Sequence, residues 1–351
     1  MSKWEKLAFD VVFADETKYG HKIPKEAYKT EGRYPIVDQG QEYIAGYSDD
    51  ATGLFVNVPA IIFGDHTRAL KYIDFPFYLG ADGVKVLRSK ISDVNYKFLY
   101  YFLTTAHIPN TGYNRHYKWL KEVEIPLPPL HVQQKIVDIL DRANALIEKR
   151  KAQIEKLDLL VKSQFIEMFG DPVTNPKGWE VEKWDSLFNT TTGKLDSNAM
   201  VENGKYPFFT CAKESYLIDE YAFDCEALLL AGNNAAGIYD VKHYSGKFNA
   251  YQRTYVITLK NSEFSYLPFK LMLEQKLDEM KNLSKGTNTR YLTMGILNDF
   301  DFLVPPLSLQ KQFADFVKRV EAYKAKLNKS LEMLELNYKS LMQKCFEGHI
   351  D

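Results

Sequence analysis

The side chains of this chain best placed to do chemistry are hydrogen-bond donors in Gly-bearing loops, not nucleophiles. Gly112-Tyr113-Asn114-Arg115-His116-Tyr117 and Gly286-Thr287-Asn288-Thr289-Arg290-Tyr291 set Gly, Asn, Arg and Tyr in the same order. Gly allows close backbone approach, and Asn and Arg carry paired groups that match base edges or phosphates. Two more polar loops follow apolar runs. In Gly64-Asp65-His66-Thr67-Arg68, Arg68 or His66 could read a base; the other loop is Gly232-Asn233-Asn234. Gln39 and Gln252-Arg253 are weaker candidates of the same kind. For each loop the competing reading is an ordinary solvated turn.

Charge is placed to suit such loops. The formal net charge is -1, which excludes a globally basic nucleic-acid binder but not a local basic surface. Residues 1–130 hold 16 basic and 16 acidic side chains, and residues 171–304 hold 14 and 18. Yet residues 94–121 contain no acid while carrying Lys97, Arg115, Lys118 and Lys121. Residues 280–298 are also free of acids and carry Lys281, Lys285 and Arg290, and 241–262 carry Lys242, Lys247, Arg253 and Lys260. Attraction of phosphates needs this kind of local potential. The candidate nucleic-acid-binding residues are therefore Arg68, Tyr113, Asn114, Arg115, Lys118, Asn233, Arg253, Lys285, Asn288 and Arg290.

Catalytic patterns are missing. Asn189-Thr190-Thr191-Thr192-Gly193-Lys194 lacks the first Gly of a phosphate loop, and no Gly-rich dinucleotide fingerprint follows a strand. The seven His show no metal-ligand spacing, so no metal site is expected. Cys211, Cys225 and Cys345 are too scattered for a disulfide framework and read as buried structural thiols in a reduced, cytoplasmic protein. No apolar run approaches the roughly 18 residues that span a bilayer, and the N-terminus has no signal-peptide pattern. No catalysis is expected of this chain, and no membrane partner.

The elements that must position the loops occur twice. Leu127-Pro128-Pro129-Leu130 recurs as Val304-Pro305-Pro306-Leu307, an offset of 177 that also pairs Gln133 with Gln310, Leu157 with Leu334 and Phe169 with Phe346. Near the starts of the halves, Trp4-Glu5-Lys6-Leu7 is matched with Trp184-Asp185-Ser186-Leu187. After each Pro-Pro comes a long heptad seam, with Ile136, Leu140, Ile147, Ile154, Leu157 and Val161 in the first copy. Phe313, Val317, Leu327, Leu331, Leu334 and Tyr338 form it in the second. Some 40 helical residues make a rod of roughly 60 Å. Two such rods pack on each other most simply, and a pseudo-twofold axis between the halves makes them antiparallel. Short strands such as Leu54–Val58, Ala60–Phe63, Val84–Leu87, Leu228–Leu230 and Tyr255–Leu259 precede an amphipathic helix in each half, at 95–105 and 265–281. The expected class is α+β, with globular domains at 1–127 and 171–304 and helices at 128–170 and 305–351.

Leu127-Pro128-Pro129-Leu130-His131-Val132-Gln133-Gln134-Lys135-Ile136 at a helix start, and Phe165-Ile166-Glu167-Met168-Phe169-Gly170-Asp171-Pro172 at its end, resemble the specificity (S) subunits of type I restriction–modification systems. The family usually has Glu-Gln where Val132-Gln133 and Leu309-Gln310 stand here. The resemblance covers essentially the whole chain. It implies two target recognition domains in tandem, each reading one half of a bipartite double-stranded DNA sequence. The paired helices would be a ruler for the spacer between the halves. It also implies docking of two methyltransferase subunits that bind S-adenosylmethionine, and room for motor-nuclease subunits, with no cofactor in this chain. Two rival readings are a similar subunit of a system that fuses methylation and cleavage in one polypeptide, and a coiled-coil adaptor that does not bind DNA.

Overall fold

The strand that opens each half is short and pairs with the strand that closes it. Lys6–Ala8 lies antiparallel to Glu124–Pro126, with Leu7 opposite Ile125. Glu180–Lys183 lies antiparallel to Asp301–Val304, with Glu182 opposite Phe302. This register matches Trp4 with Trp179, not with Trp184. Trp184 instead begins the helical turn Trp184–Leu187, the counterpart of Phe9–Val12. The repeated Trp-Glu and Trp-Asp pairs made two alignments available in sequence, and strand pairing selects the other one. The computed structural model describes residues 4–80, 82–112, 114–235 and 237–348. The chain divides into two compact units, 1–151 with 329–351, and 152–328.

In the first unit, Ala60–Gly64 is buried at every residue and lies between Val84–Ser89 and Leu70–Ile73, with Phe13–Asp15 at the far edge. Successive side chains point to opposite faces of a strand. Ile61 and Phe63 accordingly join Phe9, Phe98, Leu99 and Ile125, while Ala60 and Ile62 join Val37, Phe77 and Val86. A second sheet orders Gly46–Ser48, Tyr34–Val37 and Tyr78–Leu79. The expected strand at 54–58 does not form. Only Phe55 pairs there, with Phe77, and Pro59 two residues beyond 57 interrupts any ladder.

The second unit repeats the plan in one six-stranded sheet. Its order is Phe188–Thr192, Thr254–Leu259, Phe223–Ala231, Val241–Ala250, Tyr206–Phe209, Tyr216–Ile218. Leu228 and Leu230 face a core with Trp184, Phe269 and Phe302, and Ala227 and Leu229 face Phe209, Phe248 and Val256. The amphipathic helix of the first unit is Tyr96–Thr105, capped by the Asn95 side chain. Its counterpart is not one helix. Tyr266–Gln275 ends at Lys276 and Leu277–Leu283 follows, which turns Met280 into the core that Met272 and Leu273 line.

Both Pro-Pro turns are held by a buried glutamine. The Gln133 amide donates to the Pro128 carbonyl at 2.8 Å, and its oxygen accepts from the Asn95 N–H at 2.9 Å. The Gln310 amide donates to Pro305 at 2.8 Å and its oxygen accepts from Ser265 at 3.1 Å. In each case one side chain ties the start of the long helix to the start of the amphipathic helix. The motif glutamine is therefore a structural clip.

The long helices are Leu130–Phe169 and Leu307–Glu347. In the first unit Ile136 and Leu140 share a core with Tyr338, Met342 and Cys345. In the second, the Phe165 and Phe169 rings lie 5.8 and 5.3 Å from that of Phe313, and Lys324 pairs with Asp158. Early residues of one helix meet late residues of the other, so within each unit the helices pack antiparallel. The seam is unevenly covered. Ile136, Leu140, Ile147, Phe313, Val317 and Leu327 are buried, whereas Ile154, Leu157, Val161, Leu331, Leu334 and Tyr338 are half-buried. Away from the sheets, a helix has only its partner to cover the seam. Of the thiols, only Cys345 is buried; Cys211, in a bend, and Cys225, near the start of the central strand of its sheet, are partly exposed.

Gln133→Leu and Gln310→Leu should each destabilise the chain by about 1–3 kcal/mol, because each strands a buried carbonyl and a backbone N–H; a shift of the denaturant midpoint checks this. Burial pushes the Cys345 thiol from 9.0 to about 11 and the Tyr338 phenol from 10.0 to about 12. Both groups are raised acids that ionise more readily when unfolded, so their contribution is intact below their ordinary values and lost above them. Stability of the first unit should fall between pH 9.0 and about 12, as urea titrations across that range would record. A thiol reagent at about pH 8 should modify Cys211 in the folded chain and Cys345 only on unfolding.

Candidate nucleic-acid interface

In each unit the candidate loops meet at the end of the central strand. In the first, that strand runs into Gly64 and Asp65. The Asp65 N–H donates to the Gly83 carbonyl at 2.7 Å, and the Asp65 carbonyl accepts the His116 N–H at 2.8 Å. The His116 ring sets Nδ1 3.0 Å from the same carbonyl, and Nε2 accepts from the Thr111 N–H at 3.4 Å. The Asp65 carboxylate accepts the Tyr117 N–H at 2.8 Å and so caps the helical turn Tyr117–Leu120. One residue thus joins the loop 64–68, the turn at Asp82 and Gly83, and the segment ending at Arg115. Gly64 is required by space, since a Cβ there would lie 2.2 Å from Thr67 Oγ1 and 2.7 Å from the Gln39 carbonyl.

Gln39 clamps two of these pieces. Its oxygen accepts the His66 N–H at 3.2 Å, and its amide donates to the Asp82 carbonyl at 3.0 Å. Beneath it Lys71 is buried and donates to the Asp38 carbonyl at 2.9 Å; burial holds its ammonium below the ordinary lysine value. Arg68 has a left-handed backbone, φ 63°, and its guanidinium donates to the Ile108 carbonyl at 3.2 Å. Asn114, Arg115 and Lys118 are exposed, with the Lys118 ammonium 5.0 Å from the centre of the Trp119 ring.

The second unit makes the same junction with other residues. Its central strand ends at Ala231 and Gly232. The Gly232 N–H donates to the Arg253 carbonyl at 2.8 Å, and its carbonyl accepts the Leu292 N–H at 2.8 Å. A Cβ on Gly232 would lie 2.4 Å from the Arg253 carbonyl. Asn233 and Asn234 then pair with Tyr291 and Arg290. Lys285 bridges to Tyr291 and the Arg290 guanidinium donates to the Lys281 carbonyl at 3.0 Å. Thr192, Gly232, Gln252, Arg253, Tyr255, Tyr291 and Leu292 line a hollow of about 280 Å³.

The sequence-derived residues fall into place unit by unit. Arg68, Asn114, Arg115 and Lys118 surround the first junction; Tyr113 lies outside the described residues. Asn233, Arg253, Lys285 and Arg290 surround the second, and Asn288 is exposed at the tip of its loop. The alignment of the two Gly–Tyr loops shifts. The shared bond matches His116 with Leu292, so Arg115 corresponds to Tyr291, and Arg290 to Asn114. The loops differ in length before the anchor, which sequence order alone conceals. His116, Asp65, Gln39 and Gly83 build the first junction, and of these the sequence marks only Gln39 as a candidate reader of bases. Backbone bonds leave no residue-type signal. Among the described residues no cluster of His, Cys, Asp and Glu could hold a metal ion. No helix there is long and apolar enough to cross a membrane.

The comparisons agree with this architecture. A family model for the type I restriction modification DNA specificity domain matches residues 1–156 and again 176–335. The EcoDI type I restriction enzyme specificity subunit of Escherichia coli is 35% identical over 181 residues, which are 50% of this chain and 39% of that protein. The MjaIX specificity subunit of Methanocaldococcus jannaschii is 27% identical over 247 residues, 57% of this chain and 54% of that one. The chain thus spans well under two thirds of the length of both relatives. In fold it is similar to the crystal structure of a type I restriction–modification S subunit from M. genitalium, with TM-score 0.61, 18% identity and coverage of 98% and 96% of the two chains. With two matched domains in tandem, each followed by a long helix, this chain belongs to the type I restriction–modification DNA specificity family.

Proposed function

We propose that this chain is the non-catalytic targeting subunit of a type I restriction–modification complex, working in the cytoplasm, and that each unit reads one half of a bipartite duplex target. The observation that carries this reading is the strand-end junction made twice, with a different set of Arg, Asn and Lys side chains on each copy. Arg and Asn side chains suit base edges in the major groove, and Lys side chains suit the phosphates that set register. In the first unit Asn114, Arg115 and Arg68 take the base-edge role and Lys118 the phosphate role. In the second, Asn233, Arg253, Asn288 and Arg290 read and Lys285 positions.

The helices support a second role, as a docking surface for methyltransferase subunits. Leu146, Leu159, Leu160 and Ile166 of the central helix are 45–63% exposed, as are Tyr323, Met333 and Leu336 of the C-terminal helix at 53–60%. Large apolar side chains so exposed are suited to a protein partner. The methyltransferase supplies S-adenosylmethionine and the adenine chemistry, and motor-nuclease subunits complete a restricting complex. This chain takes no cofactor of its own.

Co-expression of the chain with its neighbouring methyltransferase, followed by sequencing of modified adenines in host DNA, tests the reading. The expected result is a split motif, two short blocks around a fixed gap; unmodified DNA despite a stable complex would overturn it. Arg115→Ala should relax one block only. Lys285→Ala should weaken duplex binding at every sequence and lower the slope of log affinity against log salt by about 1, seen by titration at several salt concentrations.

A further inference from the structure

The two junctions equate a pair of turns that sequence order does not align. The N–H at the central-strand end donates to Gly83 in the first unit and to Arg253 in the second, at 2.7 and 2.8 Å. Counting back one residue, Asp82 occupies the position of Gln252. Both turns lead into the strand that pairs with the central strand, Val84–Ser89 and Thr254–Leu259. They therefore stand at the same place in the reading edge but offer different chemistry. Gln252 carries an amide that both donates and accepts and Arg253 only N–H donors, whereas Asp82 carries a carboxylate that only accepts.

Asp82 is an unexpected residue there. A phosphate-facing edge repels an acid, and the neighbouring segment 94–121 contains none. The Asp82 side chain is 94% exposed and sits 2.7 Å from the Lys22 ammonium. A surface pair of this kind contributes little to folding, so stability does not account for the acid. The Lys22 bond, aided by the field of Arg115, holds its carboxyl below the ordinary carboxylate value. It therefore stays an acceptor with no proton to give. The turn is also fixed from behind, because the Gln39 amide donates to the Asp82 carbonyl at 3.0 Å. In a duplex complex Lys22 would offset the repulsion of the phosphates, and Gln39 orients the turn.

We propose that Asp82 is a specificity-determining residue of the first unit, accepting a hydrogen bond from the major-groove amino group of a cytosine or an adenine. A carboxylate accepts from cytosine N4 or adenine N6 and finds no donor on guanine or thymine in that groove. This inference rests on the duplex-reading role proposed above.

The test uses the full chain in complex with its methyltransferase and a panel of duplexes with each base pair of the target exchanged in turn. Asp82→Ala, which removes the acceptor, should lose about tenfold of discrimination at one base pair of one half-site and leave the other half-site as in the parent. Wild-type protein should show the same loss on a duplex in which that one cytosine or adenine lacks its exocyclic amine, and the analogue identifies which base it is. Asp82→Ala should not respond to the analogue. Undiminished discrimination by Asp82→Ala at every position, or an equal loss over all sequences, would overturn the assignment. The analogue experiment stands on wild-type protein alone, so a poorly folding variant does not rescue the proposal: a wild type indifferent to every missing amine sinks it. A wild-type complex that binds all duplexes alike would instead refute the underlying reading.

Discussion

The two candidate binding surfaces depend on one backbone junction, made at the end of the central strand of each unit. Asp65 and Gly232 each use their N–H and carbonyl to hold two other loops. A strand end of this kind is a rigid base, because its residues are packed on both faces of the sheet. Loops tied to it gain a fixed geometry without being buried, so their polar tips remain free to meet a partner.

The two junctions share a plan but differ in what secures them. In the first, the Asp65 carboxylate and the His116 ring add four contacts to the backbone bonds. In the second, the equivalent position is Gly232, which has no side chain, and cross-pairing of Asn233 and Asn234 with Tyr291 and Arg290 does the securing. Close approach explains the glycine, since the Arg253 carbonyl occupies the space a Cβ would need. Such exchange of side chains around a shared backbone junction lets one scaffold carry two different surfaces.

The glutamine clips and the long helices answer a different need. A two-helix pair leaves much of its seam to solvent, as the half-buried Leu157 and Leu334 record. Within each unit the helices are secured where they enter the globular core, through Phe165, Phe169 and Phe313 in one unit and Ile136, Leu140 and Cys345 in the other. Gln133 and Gln310 fix the start of each helix against its amphipathic neighbour.

The sequence by itself determined the duplication, the two long helices, the strands with continuous apolar runs and the basic, acid-poor segments. Each of these is written in local periodicity or composition, and periodicity survives without knowledge of distant neighbours. The lengths Leu130–Phe169 and Leu307–Glu347 follow from uninterrupted heptads closed by Gly170 and Gly348. Only the tertiary structure decided that Trp4 answers Trp179, that 265–281 breaks at Lys276, and that Cys211 and Cys225 are partly exposed. It alone matched His116 with Leu292 and brought Gln39, Asp65 and Asp82 beside Arg115. These outcomes rest on backbone bonds and loop lengths between residues far apart in the sequence, and a backbone N–H or carbonyl is the same in every residue that could have stood there.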